Sequence, residues 1–273
     1  MRADLLLVIN TALKRRLRDI ISIEMIERYV DAVLDTFEDQ NLFAATLLQP
    51  DFDPDDILRE MRVFASSASL FGAEFSTGVT APPEIRTQLT ESAERAAVAA
   101  AGSLQNQTVN ALRTNLFNVI TDLDARIAVG EIEYSRVAVQ PGLLADSQRI
   151  TDIRIESVAE LQTTRLSAAG GLTNLDVMGA TFYRWSAVLF DSCPVCTYLD
   201  GMTFQVQESL ERINRSLRAE NTQDLIDAQP FPDQSRAGLE TFLNLDATAI
   251  QAGGYAVPPA HPYCRCLVAP IIP

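Results

Sequence analysis

Apolar positions early in the chain recur at intervals of three and four. Leu6, Ile9, Leu13, Leu17, Ile20, Ile21, Ile26, Val30, Val33 and Phe37 follow this spacing. The first 37 residues therefore predict a helix with one apolar face. Asp53 followed by Pro54 supplies an N-cap and a proline at the first helical position, which predicts a second helix ending near Gly72. Pro82 and Pro83 open a long helical stretch to about Gly130. Its middle, Ala96 to Ala101, is rich in small residues, which permit close helix approach. Its second half is amphipathic through Val109, Leu112, Leu116, Val119, Ile120, Leu123 and Ile127. A further helix is expected from about Leu143 to Leu166, and Ala168-Ala-Gly-Gly171 reads as a hinge.

Beyond that point the period changes. Phe182 to Phe190 is dense in aromatic and β-branched residues and predicts a strand. Leu199-Asp-Gly-Met202 predicts a turn, because Asp-Gly suits the positive-φ positions of a tight hairpin. Thr203 to Val206 is then the returning strand. Helices are expected from about Glu208 to Ala219 and from about Ser235 to Leu245, with Asn221 to Asp233 as a loop between them. Cys264 to Ala269 is a final strand candidate. The class is α+β: a mainly helical region over 1–170 with long helices, then a small β-containing domain over 171–273 that carries a helical insertion at about 207–257.

Composition narrows the reading. The chain has 273 residues, 47% hydrophobic and 21% charged, which suffices for a packed core. A net charge of −14 argues against duplex DNA as the main partner. Lys14 is the sole lysine, and it joins Arg15, Arg16 and Arg18 in a basic cluster. Such a run is usually a solvated helix face; its sharper reading is a contact with an acidic partner or nucleic acid. Asp51, Asp53 and Asp55 imitate the start of a calcium loop. The match fails at the glycine slot, held by Asp56 or Ile57, and at Arg62 where the bidentate glutamate belongs. No segment approaches the ~20 apolar residues that cross a bilayer. The apolar run Leu5 to Ile9 is too short for a signal-peptide core. The chain is therefore expected in the cytoplasm, where clustered cysteines favour metal over disulfide.

The candidate chemistry sits in two short segments, Cys193-Pro-Val-Cys196 and His261-Pro-Tyr-Cys264-Arg-Cys266, which hold all four cysteines and the single histidine. Cys-x-x-Cys on a tight knuckle points two thiolates at one ion, and tetrahedral zinc needs two more donors. The preferred set is Cys193, Cys196, His261 and either Cys264 or Cys266. Strand alternation would place the last two on one face. A disulfide between the segments, or free thiols, are the competing states. A thioredoxin-like centre would need the cysteine pair between strand and helix of a βαβ unit, whereas here Asp-Gly and a short strand follow. Catalytic zinc templates fail at nameable residues. A deaminase has His-x-Glu ahead of its Cys-x-x-Cys, but here the histidine comes later and Tyr263 takes the glutamate position. A metalloprotease needs a second histidine. Neither a nucleophile elbow nor a P-loop is present, so no enzymatic activity is expected.

The string Trp185…Asp191-Ser-Cys193-Pro-Val-Cys196-Thr-Tyr-Leu199-Asp-Gly201-Met-Thr-Phe204, followed by Pro258-Pro-Ala-His261-Pro-Tyr-Cys264-Arg-Cys266, resembles the C-terminal signature of phage head morphogenesis proteins. These are the Mu protein F-like minor head proteins of tailed phages. The family pattern is a tryptophan-bearing strand, an acidic residue, Cys-x-x-Cys, Leu-Asp-Gly, then Pro-Pro-x-His-Pro-x-Cys-Arg-Cys. Met202 departs from it, standing where a basic residue is common, and the segment from Phe204 to Pro258 is long. The helix Arg149 to Leu166 resembles the family's Arg-rich helix more loosely. The resemblance covers roughly the last third of the chain. It implies a minor capsid protein, present in few copies, assembled in the host cytoplasm and located in the virion at the capsid interior or a vertex. Its partners would be the portal protein, the major capsid protein and the scaffold, with contact to packaged DNA and self-association within the particle also open. Region 1–170 would then be the capsid- and portal-facing part. Two alternatives come from other classes: a module related to phage-derived toxins, and a cellular zinc-binding adaptor. The sequence stops at Pro273, soon after Cys266, so no appended effector domain is expected.

Overall fold

A computed structural model describes residues 2–39, 48–78, 80–187, 192–219 and 222–271. The expected α+β class holds: long helices are followed by a small antiparallel sheet near the C-terminus. The long helices are α1 (Arg2–Ile20), α2 (Ile23–Glu38), α3 (Pro54–Thr77), α4 (Pro83–Ala128) and α5 (Arg136–Val177). The later elements are β1 (Phe182–Ser186), α6 (Pro194–Leu199), β2 (Thr203–Gln205), α7 (Val206–Leu217), α8 (Thr222–Ala228), α9 (Arg236–Phe242), α10 (Ala247–Gly253) and β3 (Leu267–Pro270). No helix among the described residues is long and apolar enough to cross a membrane.

Several sequence expectations need correction. The single helix over the first 37 residues is two helices. Ser22 takes an extended conformation between them, and its hydroxyl accepts a hydrogen bond from the Met25 amide at 3.4 Å. The apolar period passes through this break because both helices turn the same kind of face inward. The second helix continues past Gly72 to Thr77. At its start Asp53 behaves as expected, its carboxylate accepting from the Asp55 amide at 2.9 Å. The loop expected over 221–233 contains α8. The first strand ends at Ser186; residues 188–191, including Asp191, lie outside the described residues.

The expected hinge at Ala168-Ala-Gly-Gly171 is instead continuous helix within α5. Its small residues serve a helix crossing. A Cβ on Gly170 would stand 1.9 Å from the carbonyl oxygen of Ser69, and one on Gly72 would stand 1.8 Å from that of Ser167. Backbone therefore meets backbone, which only glycine allows. Buried polar groups are satisfied across the same contact. Ser76 donates to the Gly171 carbonyl at 3.1 Å, and the Asn174 amide donates to the Ala73 carbonyl at 2.8 Å.

Contacts divide the chain into two compact units that do not follow chain order. The first comprises residues 1–13, 58–100 and 157–273; the second comprises 14–57 and 101–156. In the second unit Leu17, Ile26, Val30, Val33, Leu104, Leu112, Leu116, Ile120 and Ile155 are buried. This includes Leu112, Leu116 and Ile120 of the amphipathic stripe expected in the long helix. Arg18 of the basic cluster is paired within this unit, to Asp152 at 2.5 Å and Glu156 at 3.1 Å. Arg136 is gripped by Asp31, Asp35 and Glu38.

The first unit carries the sheet, in the order β2-β1-β3 with both pairings antiparallel. β1 alternates as a half-buried strand should, with Tyr183 and Trp185 inward. Tyr183 faces Phe204 across one pairing, and Trp185 faces Val268 across the other. All four are buried, each aromatic contributing about 2–3 kcal/mol by area removed from water. Leu6, Phe71 and Leu267 join α1, α3 and β3 in one apolar cluster.

The crossing can be tested by equilibrium denaturation. Gly170→Ala should destabilise by about 1–3 kcal/mol, because the added methyl must push two backbones apart. Gly142→Ala, where a Cβ meets nothing within 4 Å, should be neutral or stabilising by up to about 1 kcal/mol.

Candidate metal centre

The Cys193-x-x-Cys196 segment forms the start of α6, a helical turn rather than the expected knuckle. Cys193 is the N-cap, in extended conformation, and Pro194 takes the first helical position. The Cys193 sulfur accepts from the Cys196 amide at 3.4 Å. This is the local logic of any N-cap, with sulfur in place of oxygen: the first amides of a helix lack intrahelical partners. The result brings both sulfurs to one end of α6. β1 and β2 on either side of α6 are antiparallel, so the βαβ context of a thioredoxin-like centre is absent from this segment.

The Leu199-Asp-Gly-Met202 turn forms where expected, but it ends α6 rather than joining two strands directly. Met202 donates to the Leu199 carbonyl at 3.0 Å, and Gly201 has φ near 80°. Asp200 then locks the turn to the end of β1, its carboxylate accepting from the Ala187 amide at 2.8 Å. Gly201 also donates to the Trp185 carbonyl at 2.9 Å. The turn thus fixes α6, and both its cysteines, against the central strand.

The second segment arrives after a cis Pro258-Pro259 bond. His261 to Cys264 is a tight turn, the Cys264 amide donating to the His261 carbonyl at 3.0 Å. Cys264 and Cys266 are both buried on the side of Cys196. They precede β3 rather than lie in it, so their common side comes from the loop path and not from strand alternation.

All five expected donors converge. Cys193, Cys196 and His261 form one group, and Cys196, Cys264 and Cys266 form another, with the donor atoms of each within 4.8 Å of one another. Cys196 belongs to both. Its sulfur stands 3.3 Å from His261 Nε2 and 3.7 Å from the Cys264 sulfur. These clusters could hold a metal ion. Cys193 and His261 are half-buried, whereas the other three are buried. One edge of the cluster is therefore open to an arriving ion and the other is closed.

The electrostatics fit a cation. The Cys196 thiol is pushed up, chiefly by its hydrogen bond with Cys264, then by that with Cys266, with burial adding to the rise. Cys264 moves the other way. Burial opposes its ionisation, but hydrogen bonds from Cys196 and Cys266 bring it well below the usual thiol range. At Cys266 the hydrogen bond from Cys196 favours the thiolate, but Cys264 and burial outweigh it and the thiol is pushed up. The sulfurs of this trio lie within 4.8 Å of one another, so their protons are coupled. An ion would replace those protons and let further sulfurs ionise. The buried Trp185 indole N–H adds a smaller push toward thiolate at Cys266.

Residues that sequence reasoning did not single out support the second segment. Thr164 donates its hydroxyl to the Cys264 carbonyl at 2.6 Å. Arg165 donates to Gln229 at 2.9 Å, and Gln229 donates to the carbonyls of Val257 at 3.0 Å and Pro259 at 3.3 Å. Arg265 lies 3.6 Å from the buried Glu160. Nothing in the local pattern marks these residues, apart from a charged Arg165 immediately before the small and apolar run that follows it.

Comparison with family models, with curated proteins and with solved structures gives no match.

The shared position of Cys196 makes it the most demanding site in the cluster. Cys196→Ser should abolish high-affinity binding of cobalt(II), titrated against a chromophoric chelator. Cys266→Ser should leave binding in place but weaker, because Cys193, Cys196, His261 and Cys264 all remain.

Proposed function

We propose that this chain is a minor structural protein of a tailed-phage head, and that its Cys/His cluster holds one structural zinc. The observation that supports the reading is the convergence of the two signature segments on Cys196, with the Leu-Asp-Gly turn anchoring one of them to the tryptophan strand. The residues on which the phage resemblance rests are thus the residues that build one local structure.

Zinc suits the donors. Thiolates and imidazole are its usual structural ligands. With Zn–S bonds near 2.3 Å, two sulfurs on a tetrahedral ion lie about 3.75 Å apart; Cys196 and Cys264 stand 3.7 Å apart. Cys193, Cys196, His261 and either Cys264 or Cys266 are the preferred ligands, with Cys196 common to both groups. Sites rich in thiolates, with three or four cysteines, are typical of structural rather than catalytic zinc. When bound, zinc would supply folding free energy to a three-stranded sheet too small to build a large core of its own.

In the particle, the long helices would provide surface for the portal protein, the major capsid protein or the scaffold, and the metal-stapled sheet would provide a rigid docking piece. Packaged DNA is a secondary contact at most, given a net charge of −14.

Mass spectrometry of purified phage particles should find the chain at low copy number; its absence from particles would reject the virion reading in favour of a toxin-related module or a cellular adaptor. Elemental analysis of the purified protein should give about one zinc per chain. Removing it with a chelator should lower the melting temperature, and a fully reduced, metal-free protein with unchanged stability would reject the zinc.

A further inference from the structure

We propose that Arg165 and Gln229 are positioning residues for the metal: together they hold the segment carrying His261 and Cys264 where its donors meet Cys196. The proposal rests on the metal reading above and deepens it.

Arg165 is 2% exposed and projects from α5. Among the described residues its hydrogen-bond partner is not a carboxylate but the neutral side-chain oxygen of Gln229, itself 2% exposed. A buried guanidinium without a counter-charge is costly, and an apolar side chain of similar volume would fill the space more cheaply. Burial indeed lowers the Arg165 pKa to about 10. The arrangement therefore needs a return other than packing, and the geometry supplies one.

Gln229 is the hub. Its oxygen accepts from Arg165, while its nitrogen donates to the carbonyls of Val257 and Pro259. These carbonyls flank the Pro258-Pro259 bond, and prolines have no N–H with which to join a ladder. Only a side chain that both accepts and donates can complete this relay. The cation on one side fixes which end of the amide is oxygen, and so points both amide hydrogens at the loop. Five residues beyond Pro259, Thr164 pins the Cys264 carbonyl from the helix position next to Arg165. His261 thus lies between two points tied to adjacent residues of one helix. Outer groups that fix metal ligands in this way typically change affinity by about 10–100-fold when removed.

The test uses cobalt(II) in the full-length protein, read by its ligand-field and thiolate charge-transfer bands and by competition with a chelator. Arg165→Met and Gln229→Glu should keep the helical circular dichroism, weaken cobalt by about 10–100-fold and alter the bands. Arg165→Lys, which restores a cationic donor, should recover most of the loss. Gln229→Glu keeps shape and acceptor but removes the donor to the two carbonyls, so it decides the matter should Arg165→Met fail to fold. Unchanged affinity and bands in a folded Gln229→Glu variant would overturn the relay while leaving the metal reading intact. A wild-type protein that binds no cobalt would overturn both.

Discussion

Two glycines permit the backbone contact between α3 and α5. At Gly72 and Gly170 the backbones of α3 and α5 touch with no room for a side chain between them. This contact determines where α5 lies, and α5 then determines much else. Its residues Ser167 to Asn174 meet α3, and Gly171 also approaches Val268 of β3. One turn earlier, Thr164 and Arg165 reach the loop that carries His261 and Cys264. A single unbroken helix therefore links the helix crossing, the sheet edge and the metal cluster. A break at residues 168–171 would separate them.

The cluster itself combines weak local preferences into one site. Cys193 caps α6 because helix starts need an acceptor, and the capping geometry happens to set two sulfurs side by side. The Leu-Asp-Gly turn ends α6 and ties it to β1. The opposing loop lacks backbone donors at its prolines and borrows them from Gln229. The thiols crowd closely, the Cys196 sulfur standing 3.7 Å from that of Cys264. A metal held here would tie α6 and the loop carrying His261 and Cys264 to one point.

Much of the candidate site was legible in the sequence because its donors are rare in this chain. One histidine and four cysteines in two short segments leave few ways to form a cluster. The helices were legible for the usual reason, a period near 3.6 that persists over many turns in Leu112, Leu116, Ile120 and their neighbours. Less was legible wherever one local pattern serves two structures. Ala168-Ala-Gly-Gly171 is equally a flexible joint and a helix-crossing surface, and the choice depends on Ser69 and Gly72, about a hundred residues away. The break at Ser22 was hidden because the apolar spacing runs through it.

What the sequence determined by itself is therefore the class, the long helices, the turn at Asp200-Gly201 and the identity of the metal-binding candidates. These follow from periodicity, from turn chemistry and from the scarcity of sulfur and imidazole. What only the tertiary structure decided is that Cys196 is shared by both groups of donors, that α5 is continuous, and that Thr164, Arg165 and Gln229 stand behind the loop. Those facts depend on which distant backbones can approach each other and on which buried carbonyls lack a donor, and neither is encoded in any short stretch of chain.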